Sequence, residues 1–169
     1  ALDLALSPDR KLPVSLRLLR DLHRVLMDGV RGGTFTPGEF RAIQNHIGPP
    51  GASEEEATYV PPPVPEMRES LDALERYFHA ASDLPPLLRI GLIHYQVEAI
   101  HPFVDGNGRV GRLLITLLLC EEGLLPVPLL YLSAFFERRR ADYYDRLLAV
   151  SQRGDYEGWL EFFLEGVEQ

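Results

Sequence analysis

Twelve consecutive residues, His101-Pro102-Phe103-Val104-Asp105-Gly106-Asn107-Gly108-Arg109-Val110-Gly111-Arg112, combine an imidazole, a carboxylate, an amide, three glycines and two guanidinium groups. These types suit phosphate chemistry. A histidine titrates near neutral pH and can take a proton from a hydroxyl nucleophile. Asp105 could hold Mg²⁺ against phosphate oxygens, since a hard cation takes carboxylate oxygen and leaves its other positions to water and substrate. Gly106-Asn107-Gly108 offers backbone N–H groups at the start of a following helix, where they can surround an anion. Arg109 and Arg112, three apart on the first turn of that helix, project to one side and can fork onto phosphate oxygens. Two cations at a helix N-terminus oppose its macrodipole and call for a compensating anion. No Gly-Lys-Ser/Thr follows, so this is not the phosphate loop of the common nucleoside triphosphatases.

Each residue also has a plainer reading. His101 could cap its helix, Asp105 could form a turn, and the arginines could pair with Glu98 or Asp105. His94, Glu98 and His101 share a helix face and offer a zinc site. Their spacing departs from the two-histidine zinc pattern, and the nearby arginines would repel a dication, so His94 reads as a packed core histidine. The density of polar types in one loop favours chemistry over separate structural accidents.

The loop must be held between helices. Val14, Leu18, Leu22, Val25 and Leu26 recur at helical spacing, with Ser15 as cap and Gly29 as stop. Pro65 starts a second helix carrying Met67, Leu71, Leu74, Tyr77 and Phe78. Asp83 caps a third, with Pro85 and Pro86 in its first turn and Leu88, Leu92, Tyr95 and Ala99 on its face. That helix ends at His101, because a residue before proline is pushed out of the α region. Arg109 restarts the helix, and the uniformly apolar run Leu113 to Leu119 marks it as central and buried, with Gly123 and Pro126 ending it. Ser133 caps a further helix through Phe136, Tyr143, Tyr144, Leu147 and Leu148. A last one starts at Asp155 and carries Trp159, Phe162 and Phe163. Between the first two helices, extended candidates at 41–47 and 58–60 flank the acidic insert Glu54-Glu55-Glu56, which predicts a β-hairpin flap over about 43–60. The fold class is therefore all-α, six to eight helices with one hairpin excursion.

At 169 residues the chain fits one domain, 1–169, able to bury roughly two thirds of its unfolded surface. A net charge of −8 argues against broad nucleic-acid binding, whereas Arg109 and Arg112 beside the glycines suit a small anion. The single cysteine, Cys120, excludes an internal disulfide and reads as core filler in a reducing compartment. No run approaches the ~20 apolar residues of a membrane span and no leader is visible, so a cytoplasmic protein is expected. The sequence opens at Ala1 without methionine, which suggests processing or excision.

The stretch from His101 to Arg112 resembles the HPFxDGNGRxxR signature of Fic-domain proteins at every named position. The likeness extends to Thr36-Pro37-Gly38-Glu39-Phe40-Arg41, Gln44-Asn45, Tyr59-Val60-Pro61-Pro62 and Asp142-Tyr143-Tyr144. It implies the Fic fold and transfer of AMP from ATP to a Ser, Thr or Tyr hydroxyl of a target protein, with release of pyrophosphate. On this resemblance His101 is the base, Asp105 the Mg²⁺ ligand, and Gly106, Asn107 and Gly108 the anion nest. Arg109 and Arg112 hold the outer phosphates, Gly111 joins the nucleotide-binding positions, and Phe103 is a buried anchor. The flap would clamp the target by adding a strand, Thr58 and Tyr59 would lie over the nucleotide, and Tyr143 and Tyr144 would sit beside the base.

Many relatives carry a restraining helix with Ser/Thr-x-x-x-Glu-Gly/Asn. Ser133 to Glu137 has the interval but is followed by Arg138, and Glu165-Gly166 follows Glu161 where a hydroxyl is required. The expectation is a restraining helix upstream of Ala1 or on a separate antitoxin-like chain. Transfer of UMP, phosphocholine or phosphate, removal of AMP, and a non-catalytic nucleotide-binding module are the alternatives.

Overall fold

The computed structural model describes residues 13–28, 36–126 and 132–168. Among them lie seven α-helices: α1 (Leu16–Met27), α2 (Val64–His79), α3 (Pro86–Ile100), α4 (Asn107–Glu121), α5 (Leu132–Arg138), α6 (Arg140–Arg153) and α7 (Tyr156–Val167). No helix among the described residues is long and apolar enough to cross a membrane.

Local chemistry sets most boundaries. The Ser15 side chain caps α1 by accepting from the Leu18 N–H at 3.3 Å, and Asp155 caps α7 from the Gly158 N–H at 3.1 Å. Prolines open α2 and α3, where a missing N–H costs nothing. The residue at the cap of α3 is Pro85, so the expected cap Asp83 lies outside the helix. α4 begins at Asn107, two residues before the expected Arg109, because Gly106 at φ 82° supplies the turn directly. It ends at Glu121, followed by Gly123 at φ 69°. Gly29, expected to stop α1, lies outside the described residues.

The helix expected from Ser133 to Leu148 is two helices, and Ser133 lies inside the first. The break falls at Arg139 (φ −112°, ψ 40°), whose guanidinium pairs with Asp142 at 2.8 Å and Glu165 at 2.6 Å and lies over the Phe162 ring. The Asp142 pair is local, but those to Glu165 and Phe162 are tertiary contacts that helical periodicity does not encode.

α3 and α4 pair at the centre, with α2, α6 and α7 against α3 and α1 against α4. The apolar run of α4 is buried as expected: Leu114, Ile115, Leu117, Leu118 and Leu119. Each such side chain contributes roughly 1.5–3 kcal/mol of burial. In α3 the core positions are Ile90, Ile93, Val97 and Ile100, while the expected Leu88, Leu92 and Ala99 are only part-buried. A helix with neighbours on several sides presents no single apolar stripe. In α1, Val25 is 44% exposed and His23 takes an inward place instead.

The flap is not a hairpin of strands. Among the described residues the segment holds one isolated antiparallel bridge, Ile47 with Tyr59, around a 3₁₀ turn at Glu54–Glu56. Gly48-Pro49-Pro50-Gly51 on one leg and Pro61-Pro62-Pro63 on the other remove the donors a longer ladder needs. The acidic insert forms its own turn, with Glu56 accepting from the Ser53 N–H at 3.0 Å.

Candidate active site

His101 closes α3 in the left-handed region, φ 49°, ψ 59°. The pre-proline rule excluded the right-handed helix, but the extended conformation it favours is not the one adopted. The ring Nδ1 lies 3.3 Å from the Glu98 carbonyl, which can only accept, so Nδ1 carries the proton and Nε2 keeps its lone pair. Burial pushes the imidazole down to about 4, with the Arg41 cation adding to the effect and the Glu98 carbonyl and Asp105 opposing it. At neutral pH His101 is therefore an uncharged base.

The loop after it is held from below. Phe103 is fully buried and stacks on His23 with ring centroids 3.9 Å apart and planes 1° from parallel. His23 Nε2–H donates to the Asp105 carbonyl at 3.0 Å, while its Nδ1 accepts from the Gly38 N–H at 2.8 Å. Burial holds this imidazole below its usual range. Asn107 accepts from the Phe103 N–H and donates to the Phe103 carbonyl, both at 2.8 Å. Its side chain thus closes the loop, so only its main chain is left for an anion. The N–H groups of Asn107, Gly108 and Arg109 begin α4, where none has an intrahelical acceptor.

Asp105 accepts from the Gly106 N–H at 2.6 Å and pairs with Arg109 at 3.2 Å, at the surface. Arg112 lies over Gly108, its Nη1 3.0 Å from where a β-carbon would stand. No group of three or more His, Cys, Asp or Glu among the described residues could hold a metal ion. A lone carboxylate beside open amides fits Mg²⁺ shared with phosphate oxygens, since that ion keeps several waters.

Behind the loop, Gly111 packs against Glu98 and His94 rather than facing a ligand. His94 is buried, lies 2.9 Å from the Tyr143 hydroxyl and is pushed down to about 3 by burial, in keeping with a core histidine. Burial pushes the Glu98 carboxyl up to about 7, with Arg112 and the Tyr143 hydroxyl opposing.

A cavity of about 300 Å³ opens beside the last turn of α3, lined by Thr58 and Tyr59 of the flap, Tyr95, Glu98 and Ala99 of α3, and Arg140, Tyr144, Leu147, Leu148 and Ser151 of α6. Tyr59 lines it while its hydroxyl donates to the Ala99 carbonyl at 2.9 Å, pinning the flap to α3. Tyr144 is 45% exposed there, with Arg140 over its ring at 5.7 Å. Tyr143, expected beside it, is 3% exposed and points into the core at His94. A larger groove of about 660 Å³ lies between α2, α3 and α7; neither cavity is lined by a residue of 101–112, but only the smaller one reaches the last turn of α3 beside His101.

The base at the end of α3 and the amide turn that opens α4 lie in one twelve-residue loop, the apolar cavity reaches the last turn of α3 through Glu98 and Ala99, and residues 13–119 match the Fic/DOC family. The chain belongs to the Fic/DOC family. It is 30% identical over 95% of its length to the protein adenylyltransferase Fic of Drosophila virilis, covering 30% of that relative. A Fic family protein from Desulfovibrio desulfuricans G20 has 28% identity and a TM-score of 0.75, over 90% of this chain and 44% of that one. Fic-1 of C. elegans, at 24% identity and a TM-score of 0.67 over 92% of this chain and 41% of that one, shares the fold. The chain thus spans under a third of the curated relative it matches.

Within this Fic site, sequence reasoning missed the parts played by His23 and Arg41. A histidine inside the apolar stripe of α1 was the available signal for the first. Arg41 stood in the recognised stretch before the flap, but nothing local marked it as buried.

Proposed function

We propose that the chain transfers AMP from ATP to a hydroxyl side chain of a target protein. The observation that carries this reading is the uncharged His101, with its Nε2 lone pair free, next to the open first turn of α4. The acceptor hydroxyl gives its proton to Nε2. Its oxygen then forms a bond to the α-phosphorus as the bond to the β-phosphate oxygen breaks, and pyrophosphate leaves.

The α4 amides and Arg112 suit the charge on the phosphates, and Arg109 can exchange Asp105 for a phosphate oxygen. Mg²⁺, held by Asp105, would supply further neutralisation of that charge. The base of the nucleotide is assigned to the cavity between flap and α6, beside Tyr144, and the target to the outer edge of the flap. The single cysteine supports a reducing, cytoplasmic setting. Glu165 is engaged by Arg139 at 2.6 Å and Glu137 lies 3.9 Å from Arg140, so we place any carboxylate that restrains Arg112 outside these two motifs.

Incubation with ATP labelled at the α- or the γ-phosphate tests the reading. Label from the α-position should appear on protein, and His101→Ala should abolish it while leaving nucleotide affinity within about threefold. Label from the γ-position alone would replace AMP transfer by phosphate transfer.

A further inference from the structure

Arg41 is 1% exposed, and its charge meets no carboxylate among the described residues. All its side-chain bonds run to main-chain oxygens: Nε to His101 at 3.0 Å, Nη1 to Ile43 at 3.2 Å and Nη2 to Pro62. Its own N–H donates to the Pro102 carbonyl at 2.8 Å. A buried cation among neutral acceptors is a costly arrangement that a fold keeps only where its bonds are needed. The planar five-donor fork can reach three carbonyls from three separate segments, which lysine cannot do.

Two features identify what is being held. His101 is the sole non-glycine residue at positive φ among those described, and its carbonyl is one that Arg41 takes. The next carbonyl, of Pro102, goes to the Arg41 N–H, so consecutive peptide groups around the base are fixed by one residue. Ile43 and Pro62 flank the Ile47–Tyr59 bridge and form the two feet of the flap.

We propose that Arg41 is the positioning residue of this site, holding His101 in the left-handed conformation that aims its ring and tying that conformation to both feet of the flap. It touches no substrate. The inference rests on the proposed role of His101, but one of its two tests does not.

Arg41→Met removes all three side-chain bonds, and Arg41→Lys keeps the charge while losing the fork. The first test is AMP transfer from ATP. The expected result is a kcat lowered about 10²-fold in R41M, partly recovered in R41K, with KM for ATP within about threefold, as misplacement of a base predicts. A wild-type kcat in either variant would overturn the proposal. The second is amide hydrogen exchange of the free protein. The His101, Ile47, Thr58 and Tyr59 amides should exchange at least about tenfold faster in R41M and R41K, with Leu114 to Leu118 of α4 unchanged.

Equal acceleration in α4, with kcat falling only in step with the folded fraction, would make Arg41 a general stabiliser and end the proposal. Unchanged exchange at His101 and the flap would end it too. If R41M does not fold, R41K decides on the same readings. If wild-type protein transfers nothing, the functional reading fails while the exchange test still judges the tie between Arg41, His101 and the flap.

Discussion

Oε1 of Glu98 lies 2.5 Å from the point a β-carbon on residue 111 would occupy, so the carboxyl of α3 and the bare backbone of α4 are matched to one another. His94 Cε1 comes within 3.0 Å of the same point. Gly111→Ala must therefore push the two central helices apart or turn the carboxyl, and overpacking of this kind costs about 1–3 kcal/mol. Matching predicts more than a loss. In a Glu98→Ala background the same change should cost less than half as much, and urea denaturation of the four proteins gives the coupling directly. Additive costs would show that Gly111 is required for some reason other than Glu98.

Glu98 also ties stability to pH. Burial pushes its folded-state value up to about 7, above its ordinary 4.5, so the folded protein holds this proton more tightly than the unfolded chain. Its contribution is complete below 4.5 and is lost as pH rises through 7. His94 and His101 act oppositely: burial pushes them down to about 3 and about 4 from 6.5, and their contribution is lost as pH falls below 6.5. Glu98→Gln removes only the first effect. Between pH 5 and pH 8 the wild type should lose stability relative to E98Q, on the order of 3 kcal/mol at most. Parallel denaturation midpoints across that interval would mean that Glu98 is already ionised in the folded protein at pH 5.

How much of this was legible in sequence depended on how local the determinants were. The loop from His101 to Arg112 could be read because its chemistry lies in adjacent residues, and α2, α4 and α7 because proline, glycine and aspartate mark their ends. His23 and Arg41 act on partners 82 and 60 residues away, so the place of His23 in the apolar stripe of α1 marks it as inward but does not name its partner, and nothing local marks Arg41. Tyr143 and Tyr144 are neighbours on a helix and point about 100° apart. Which of them meets the cavity was fixed by the packing of α6 on α3, with the His94 bond taking Tyr143 inward. The flap read as a hairpin because two short extended candidates flank the acidic insert, but its prolines leave donors for one bridge only.

His23 combines a stacking surface with two directional bonds, and these can be separated. His23→Phe keeps ring volume against Phe103 but leaves the Gly38 N–H and the Asp105 carbonyl without their partner. Two unmet polar groups at a part-buried site cost about 1–3 kcal/mol each at most. His23→Ala loses the ring as well and should be the more damaging by about 2 kcal/mol or more. Thermal unfolding orders the pair. The loop supplies a sharper check, because Asp105 is steadied through its carbonyl: both variants should weaken ATP binding, which titration calorimetry measures. If H23F binds ATP as tightly as wild type, the bond to Asp105 has no part in shaping the loop.

The acid side of the rate profile tests the state of the base itself. A free histidine would titrate near 6.5, and an enzyme relying on it would lose kcat/KM as pH fell through that value. Here burial pushes His101 down to about 4, with Arg41 acting in the same direction, so the ring is already uncharged at pH 5.5. After correction for ionisation of the nucleotide, kcat/KM for AMP transfer should stay within about twofold from pH 8 to pH 5.5 and fall only near pH 4. Asp105 and the Glu98 carbonyl pull the other way. Asp105→Asn should therefore move the acid limb lower. An acid limb centred at 6.5 in the wild type would mean that the imidazole is solvated in the working enzyme, and the closed geometry around Nδ1 would not be that of the reacting protein.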